Sequence, residues 1–137
     1  MRDIKFRGKR RKDGKWIYGD LFSAEGCKGD DRPAINYYAD DDFYDEEEAG
    51  SGWLYDYVDP DTVGQYTGLK DPNGVEIYEG DIVYNAQLEF AEVKYENGAF
   101  WIYSPEQNIC TRVSNQDCVN GNKYDNPELL TAKPWKQ

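Results

Sequence analysis

Ala91-Glu92-Val93-Lys94-Tyr95-Glu96-Asn97-Gly98-Ala99-Phe100-Trp101-Ile102-Tyr103 is the stretch that sets the fold class. Two alternating runs flank Asn97-Gly98, and both central positions of a type I′ turn need φ > 0, which Asn and Gly tolerate best. The twist of that turn matches the twist of the strands it joins, so the segment reads as a β-hairpin. Its second arm contains the longest apolar run of the chain, Ala99 to Tyr103, far short of the ~20 residues a membrane helix needs. Alternation places Trp101 on one face and Phe100 with Ile102 on the other. We expect Trp101 to point inward, aligned with Ala99 and Tyr103, with Phe100 and Ile102 against an N-terminal hairpin.

Working outward, turn signals recur at short intervals. Lys70-Asp71-Pro72-Asn73-Gly74 has Pro preset for a turn and Gly able to take φ > 0, and it leads into Val75-Glu76-Ile77-Tyr78 as a strand. Glu79-Gly80-Asp81 bends the chain, with Asp81 capping backbone N–H groups, and Ile82-Val83-Tyr84 resumes a strand. Arg112-Val113 and Cys118-Val119 add one short strand each. Asp59-Pro60-Asp61-Thr62 has the N-cap Asp and first-position Pro of a short helical turn, and Asn126-Pro127-Glu128-Leu129-Leu130 repeats that logic near the end. At the start, Ile4 and Phe6 alternate with charges, Asp13-Gly14 turns, and Lys15-Trp16-Ile17-Tyr18 continues as β. Trp16-Ile17-Tyr18-Gly19-Asp20-Leu21 echoes Glu76-Ile77-Tyr78-Glu79-Gly80-Asp81-Ile82, which we read as a shared strand–bend–strand solution. No stretch sustains helical apolar spacing for three turns. The expected fold is mainly β: a small barrel-like core of short antiparallel strands, an N-terminal β-hairpin lobe and one or two single-turn helices. We place it in a single domain over 1–137, with a basic hairpin at 1–25, an acidic, partly irregular insert at 26–57 and the β core at 58–137.

Composition narrows the function classes. The 137 residues carry 27 acids against 16 bases and no histidine, a formal charge of −11. Without histidine there is no Ser–His or Cys–His pair, no His-ligated metal and no imidazole switch. Aromatics number 21, one more than Leu, Ile and Val combined, so the core must draw on rings that each bury roughly 150–250 Å². Charge is segregated. Residues 1–15 carry eight bases and two acids, whereas residues 16–61 carry two bases and fourteen acids. Seven acids fall in Asp40-Asp41-Asp42 and Asp45-Glu46-Glu47-Glu48, a density that favours a solvated loop. We expect residues 38–52 to be replaceable by a short linker. Cys27, Cys110 and Cys118 are odd in number and form no CxxC. With no apolar leader after the basic start, they read as reduced thiols in a bacterial cytoplasm.

Three blocks of the chain resemble the YopX-type proteins of phages and prophages. They are Arg2 to Arg10 with Trp16 to Leu21, the long segment Val58 to Val83, and Gly121 to Leu130. The acidic stretch 26–52 lies outside them. The resemblance implies a phage or prophage origin and a mainly β fold. It supplies no catalytic residue, since that family has no established activity.

The residues offer few sites of their own. Asp59-x-Asp61-x-Val63-Gly64 matches three positions of an EF-hand loop but has Lys70 where the bidentate Glu belongs. Glu76, Glu79 and Asp81 flank one bend and are the carboxylates a metal-dependent hydrolase would use, against a plain capping role. No phosphate loop or nucleophile elbow is present. The basic hairpin, with Arg7, Lys9, Arg10, Arg11 and Lys12, is the candidate partner-binding set, suited to phosphate as well as to protein. The acidic stretch suits the opposite role, imitation of nucleic acid before a host protein. We therefore expect a non-enzymatic interaction module with a protein partner, no cofactor, no metal and no membrane association. Nucleic-acid binding through the hairpin is the alternative, and strand edges with opposite-signed segments suit self-association.

Overall fold

Helical structure in the computed structural model, which describes residues 4–23, 33–39 and 52–131, amounts to one 3-10 turn at Pro60–Thr62 and one four-residue helix. Everything else regular is strand, and every pairing is antiparallel. The chain forms two compact units, divided between Gln65 and Tyr66.

The first unit, Ile4–Gln65, contains β1 (Phe6–Lys9), β2 (Trp16–Ser23), β3 (Pro33–Ala39), β4 (Gly52–Tyr57) and the start of β5 (Gly64–Lys70). Their order is β4-β3-β2-β1-β5. The β1–β2 hairpin turns where the sequence predicts: Gly14 has φ +75 and its N–H donates to the Arg10 carbonyl at 2.7 Å. Asp59 caps the 3-10 turn by accepting from the Asp61 N–H at 3.1 Å. One sheet face is apolar, with Ile17, Ile35, Tyr37 and Val58 buried together and Phe6, Leu21, Leu54 and Val63 packed against them.

Three sequence expectations change here. The acidic insert 26–57 contains a paired ladder, β3 with β4, running from Ala34↔Tyr57 to Ala39↔Gly52. Neighbouring acids hid it, although Ala34, Ile35 and Tyr37 are all buried. Tyr38, Ala39 and Gly52 are ladder positions, so the replaceable stretch 38–52 is too wide at both ends; residues 40–51 lie outside the described residues. The echo between the two Ile-Tyr segments is also not one solution. Gly80 bends, with φ +93, whereas Gly19 is mid-strand and pairs with Phe6. A Cβ on Gly19 would lie 1.9 Å from the Asn36 carbonyl oxygen; this glycine serves close approach of β2 and β3, not a turn.

The second unit begins at Tyr66. It holds the rest of β5, then β6 (Glu76–Tyr78), β7 (Asp81–Asn85), β8 (Glu89–Glu96), β9 (Ala99–Ser104), β10 (Ile109–Arg112), β11 (Cys118–Asn122) and α1 (Glu128–Thr131). Its main sheet has the order β10-β9-β8-β7-β11. The mainly β fold of short antiparallel strands is as expected, and among the described residues this sheet is open, so the barrel-like core is not a closed barrel. One edge strand, β10, is exposed at all four positions, and the other, β11, has a register shift between Val119 and Gly121. A short edge strand with a charged residue, as in β10 with Arg112, and a bulge, as in β11, are ways in which open sheets protect their edges. The β8–β9 hairpin is as read, with Asn97 at φ +51, Gly98 at φ +77 and Glu96 opposite Ala99.

Trp101 is the correction in this unit. Phe100, Ile102 and Ser104 are the buried positions of β9, and Trp101 is half-exposed with Ala99 and Tyr103. Ile102 joins Ile77, Val83, Leu88, Ala91 and Val93 in the unit's own core. The physical reason is the indole N–H, which needs a partner when buried. It finds one on the outer face, the Glu96 carbonyl at 3.1 Å, while Ile102 brings no polar group.

Buried charge in this unit is carried by carboxylates that accept mainly backbone N–H groups. The Tyr78 N–H donates to Asp81 Oδ2 at 2.8 Å. Asp117 accepts from the Ser114 N–H and from Asn85 Nδ2, both at 2.8 Å. Asp71 accepts from the N–H groups of Asn73, Val75 and Val119 at 2.8, 2.9 and 3.0 Å.

Candidate functional site

The outer face of the first sheet is built by simple alternation. Residues one apart from the buried Ile17 and Tyr37 point away from the core, which brings Trp16, Tyr18 and Phe22 of β2 beside Tyr38 of β3 and Trp53 and Tyr55 of β4. Asp20↔Asn36 fixes the β2–β3 register, and Tyr38 lies opposite Trp53. The rings lean on one another edge to face, Tyr38 with Trp53 at 5.5 Å and Phe22 with Tyr55 at 5.7 Å between centroids. Such pairs stabilise the sheet beyond area burial, yet they stay in water: Trp53, Tyr55 and Tyr38 are 69%, 59% and 57% exposed. A depression of about 190 Å³ lies among Trp16, Tyr18 and Tyr38. At its β1 side the Arg7 guanidinium sits 4.6 Å and the Lys9 ammonium 5.5 Å from the Trp16 ring centre.

The five cations singled out in the sequence are therefore not equivalent. Lys9 is half-buried on this face, Arg11 and Lys12 are exposed in the turn that follows β1, and Arg7 is buried against Trp16. Arg10 goes inward, at 1% exposure. Its guanidinium forks onto Asp13, with Nε at 3.0 Å from Oδ1 and Nη2 bonded to Oδ2. Nη1 also donates to the Tyr37 hydroxyl at 2.9 Å and reaches Asp56 at 3.4 Å, while the Tyr37 hydroxyl donates to Asp56 at 2.5 Å. The hydrogen bond from Arg10 holds the Asp13 carboxyl down at about 2. Burial, and then the Asp56 carboxylate, push the Tyr37 hydroxyl up to about 12.

The carboxylates that a metal-dependent hydrolase would use are differently employed. Asp81 caps Tyr78, and Glu76 accepts from the Tyr78 hydroxyl at 3.1 Å. Among the described residues no three Cys, Asp or Glu side chains gather as a metal-binding group. The EF-hand-like Asp59 is the cap of the 3-10 turn. Cys110 and Cys118 are on strands at opposite edges of a five-stranded sheet, about 19 Å apart at the spacing of neighbouring strands, so they cannot share a ligand. Cys27 and the acidic runs lie outside the described residues, as do the roles assigned to them.

The aromatic face was not recognised from the sequence, although its signal is there. Trp16-x-Tyr18 and Trp53-x-Tyr55-x-Tyr57 alternate at period 2, but alternation alone does not say which of the two faces is covered.

Comparison with known proteins matches residues 5–131 to the family described as YopX protein. The crystal structure of protein EF1440 from Enterococcus faecalis is similar, with a TM-score of 0.54 at 26% identity, over 95% of this chain and 99% of that one. Among curated proteins there is no match. No helix among the described residues is long and apolar enough to cross a membrane.

Proposed function

The chain belongs to the YopX protein family, and from that premise we propose that it is a non-enzymatic interaction module of phage or prophage origin. Its docking surface is the outer face of β2, β3 and β4, and its partner is a protein. The observation that carries this reading is the row of exposed rings, with Trp53, Tyr55 and Tyr38 all more than half in water. Contiguous exposed apolar surface is costly to keep on a soluble protein and marks contact sites. Tyr and Trp are the residues that dominate binding energy when such a surface is covered. Lys9, Arg11 and Lys12 stand at the hairpin end of the face, where they suit a partner with an acidic rim.

Site-specific photo-crosslinking in the cell that encodes the protein tests it. A crosslinking amino acid at position 53 or 55 is expected to give a discrete protein adduct, and Tyr38→Ala to weaken it. The same group at Gln107, an exposed position in the second unit, is expected to give none. Equal labelling from 53 and 107 would rule the face out as the docking surface.

A further inference from the structure

We infer that the outer face of β8, β9 and β10 is a second, separate site, and that it binds a nucleotide unit: a planar base carrying a phosphate. The register assembles it. Lys94, Trp101 and Arg112 form one cross-strand row, and Glu92, Tyr103 and Cys110 form the next. Between them is a cavity of about 360 Å³ lined by Lys94, Glu96, Asn97, Trp101, Tyr103 and Cys110, within the range of sites that take small ligands.

The two ring systems and the two cations are fixed to each other. The Arg112 guanidinium lies 5.4 Å from the Trp101 ring centre, and the Lys94 ammonium lies 4.9 Å from that of Tyr103. A cation held over a ring keeps donors available at its outer side. The ligand that uses both kinds of group at once has a flat π-system to stack and an anion to pair, which is the chemistry of base and phosphate recognition on open sheets. Charge placement agrees. The second unit has four described cations, Lys70, Lys94, Arg112 and Lys123, and two of them, Lys94 and Arg112, stand on this face, in a chain of net charge −11. Of its acids, Glu92 is neutralised by Lys123 at 3.2 Å, leaving Glu96 at the rim beside the turn. The Trp101 N–H is already engaged by the Glu96 carbonyl, so the indole is held in place before any ligand arrives.

The same chemistry has two sources, a free nucleotide or one unit of a single strand. Cys110 lines the cavity and is exposed, which makes it the reporter. In a Cys27→Ser, Cys118→Ser protein, its alkylation rate by iodoacetamide is measured with dTMP, thymidine, inorganic phosphate and a short oligo-dT. We expect dTMP or oligo-dT to slow alkylation at about millimolar concentration, with thymidine and phosphate at least about tenfold weaker. Arg112→Gln, at an exposed position, should abolish the protection while leaving the melting temperature unchanged. Oligo-dT protecting at much lower concentration than dTMP, with a steep salt dependence, identifies a strand unit; equal protection identifies the free nucleotide. Absence of protection by either, or protection that survives both Arg112→Gln and Lys94→Gln, overturns the assignment.

Discussion

The two units handle buried charge in opposite ways. In the first, the enclosed Arg10 is a cation paired with a nearby carboxylate, Asp13, and held besides by Tyr37 and Asp56 from strands distant in sequence. In the second, the buried carboxylates of Asp81, Asp117 and Asp71 accept backbone N–H groups, most of them within four residues. A cap of the second kind forms with its turn. A cluster of the first kind exists only when three strands are in register, so it ties the β1, β3 and β4 elements to one arrangement, and losing one member strands the rest. The outer faces differ too. The first unit exposes rings with cations at one end, while the second interleaves rings and cations in the same rows.

Core and face are expected to separate most sharply at neighbouring positions of β9. Ile102→Ala, at a fully enclosed site, should cost about 4 kcal/mol, in the upper part of the range for such truncations. Trp101→Ala should cost less, about 2 kcal/mol, because the ring lies on the outer face and keeps part of its area in water. Chemical denaturation of both variants measures this, and a larger loss for Trp101 would restore the inward orientation expected from sequence.

Breaking the ionic cluster comes next. Arg10→Met should destabilise by about 3 kcal/mol, at the low end for removing one partner of a buried pair, since Asp13 and Asp56 keep 27% and 17% of their side-chain surface in water. Amide exchange should rise first in β1, β3 and β4. Uniform acceleration across both units would show that the cluster is not local in its effect.

Gly98→Val should cost about 1 kcal/mol or a little more, since a β-branched residue resists the φ of +77 required at that turn. Thermal melting reads it, and an unchanged midpoint would mean the turn relaxes to another type.

The smallest effect is the dependence on pH, which rests on different groups in the two units. Asp13 is held at about 2, below its ordinary 3.8. Its contribution is therefore present above about pH 4 and is lost as pH falls toward 2. Tyr37 is raised from 10.0 to about 12, so its contribution is present below pH 10 and is lost as pH rises toward 12. In the second unit, burial opposes the charge on Asp71, but the N–H groups of Val75, Val119 and Asn73 outweigh it and hold the carboxyl below its ordinary value. That unit shares the acid-side loss. Both units have an alkaline loss as well. In the second, burial opposes the charge on Lys123, but the Glu92 carboxylate outweighs it and holds the ammonium above its ordinary value. Tyr37→Phe should therefore diminish the alkaline loss and leave the part that belongs to Lys123; a wholly unchanged loss would exclude Tyr37 as a source.

What was legible in the sequence follows the same division. The Asn97-Gly98 hairpin, the Asp59-Pro60 cap, the Asp71 to Gly74 turn and the Asp81 cap were all readable, because each is decided by φ/ψ preference and hydrogen bonds within a few residues. The β3–β4 ladder was not, since its apolar positions lie among charges that describe solvation and not pairing. The candidate cations show the limit at single residues. Arg7, Lys9, Arg10, Arg11 and Lys12 look alike as a basic run, yet Arg10 is interior and Arg11 is in water.

The sequence by itself determined the β class, the places where the chain turns and the absence of any histidine-based chemistry. Tertiary structure alone decided which face of each strand is covered, and with it the burial of Ile102 beneath an outward Trp101, the enclosure of Arg10 and the exposure of the Trp53 row. The reason is geometric: period 2 assigns residues to two faces but carries no label for the inner one, and that label comes only from what packs across from it.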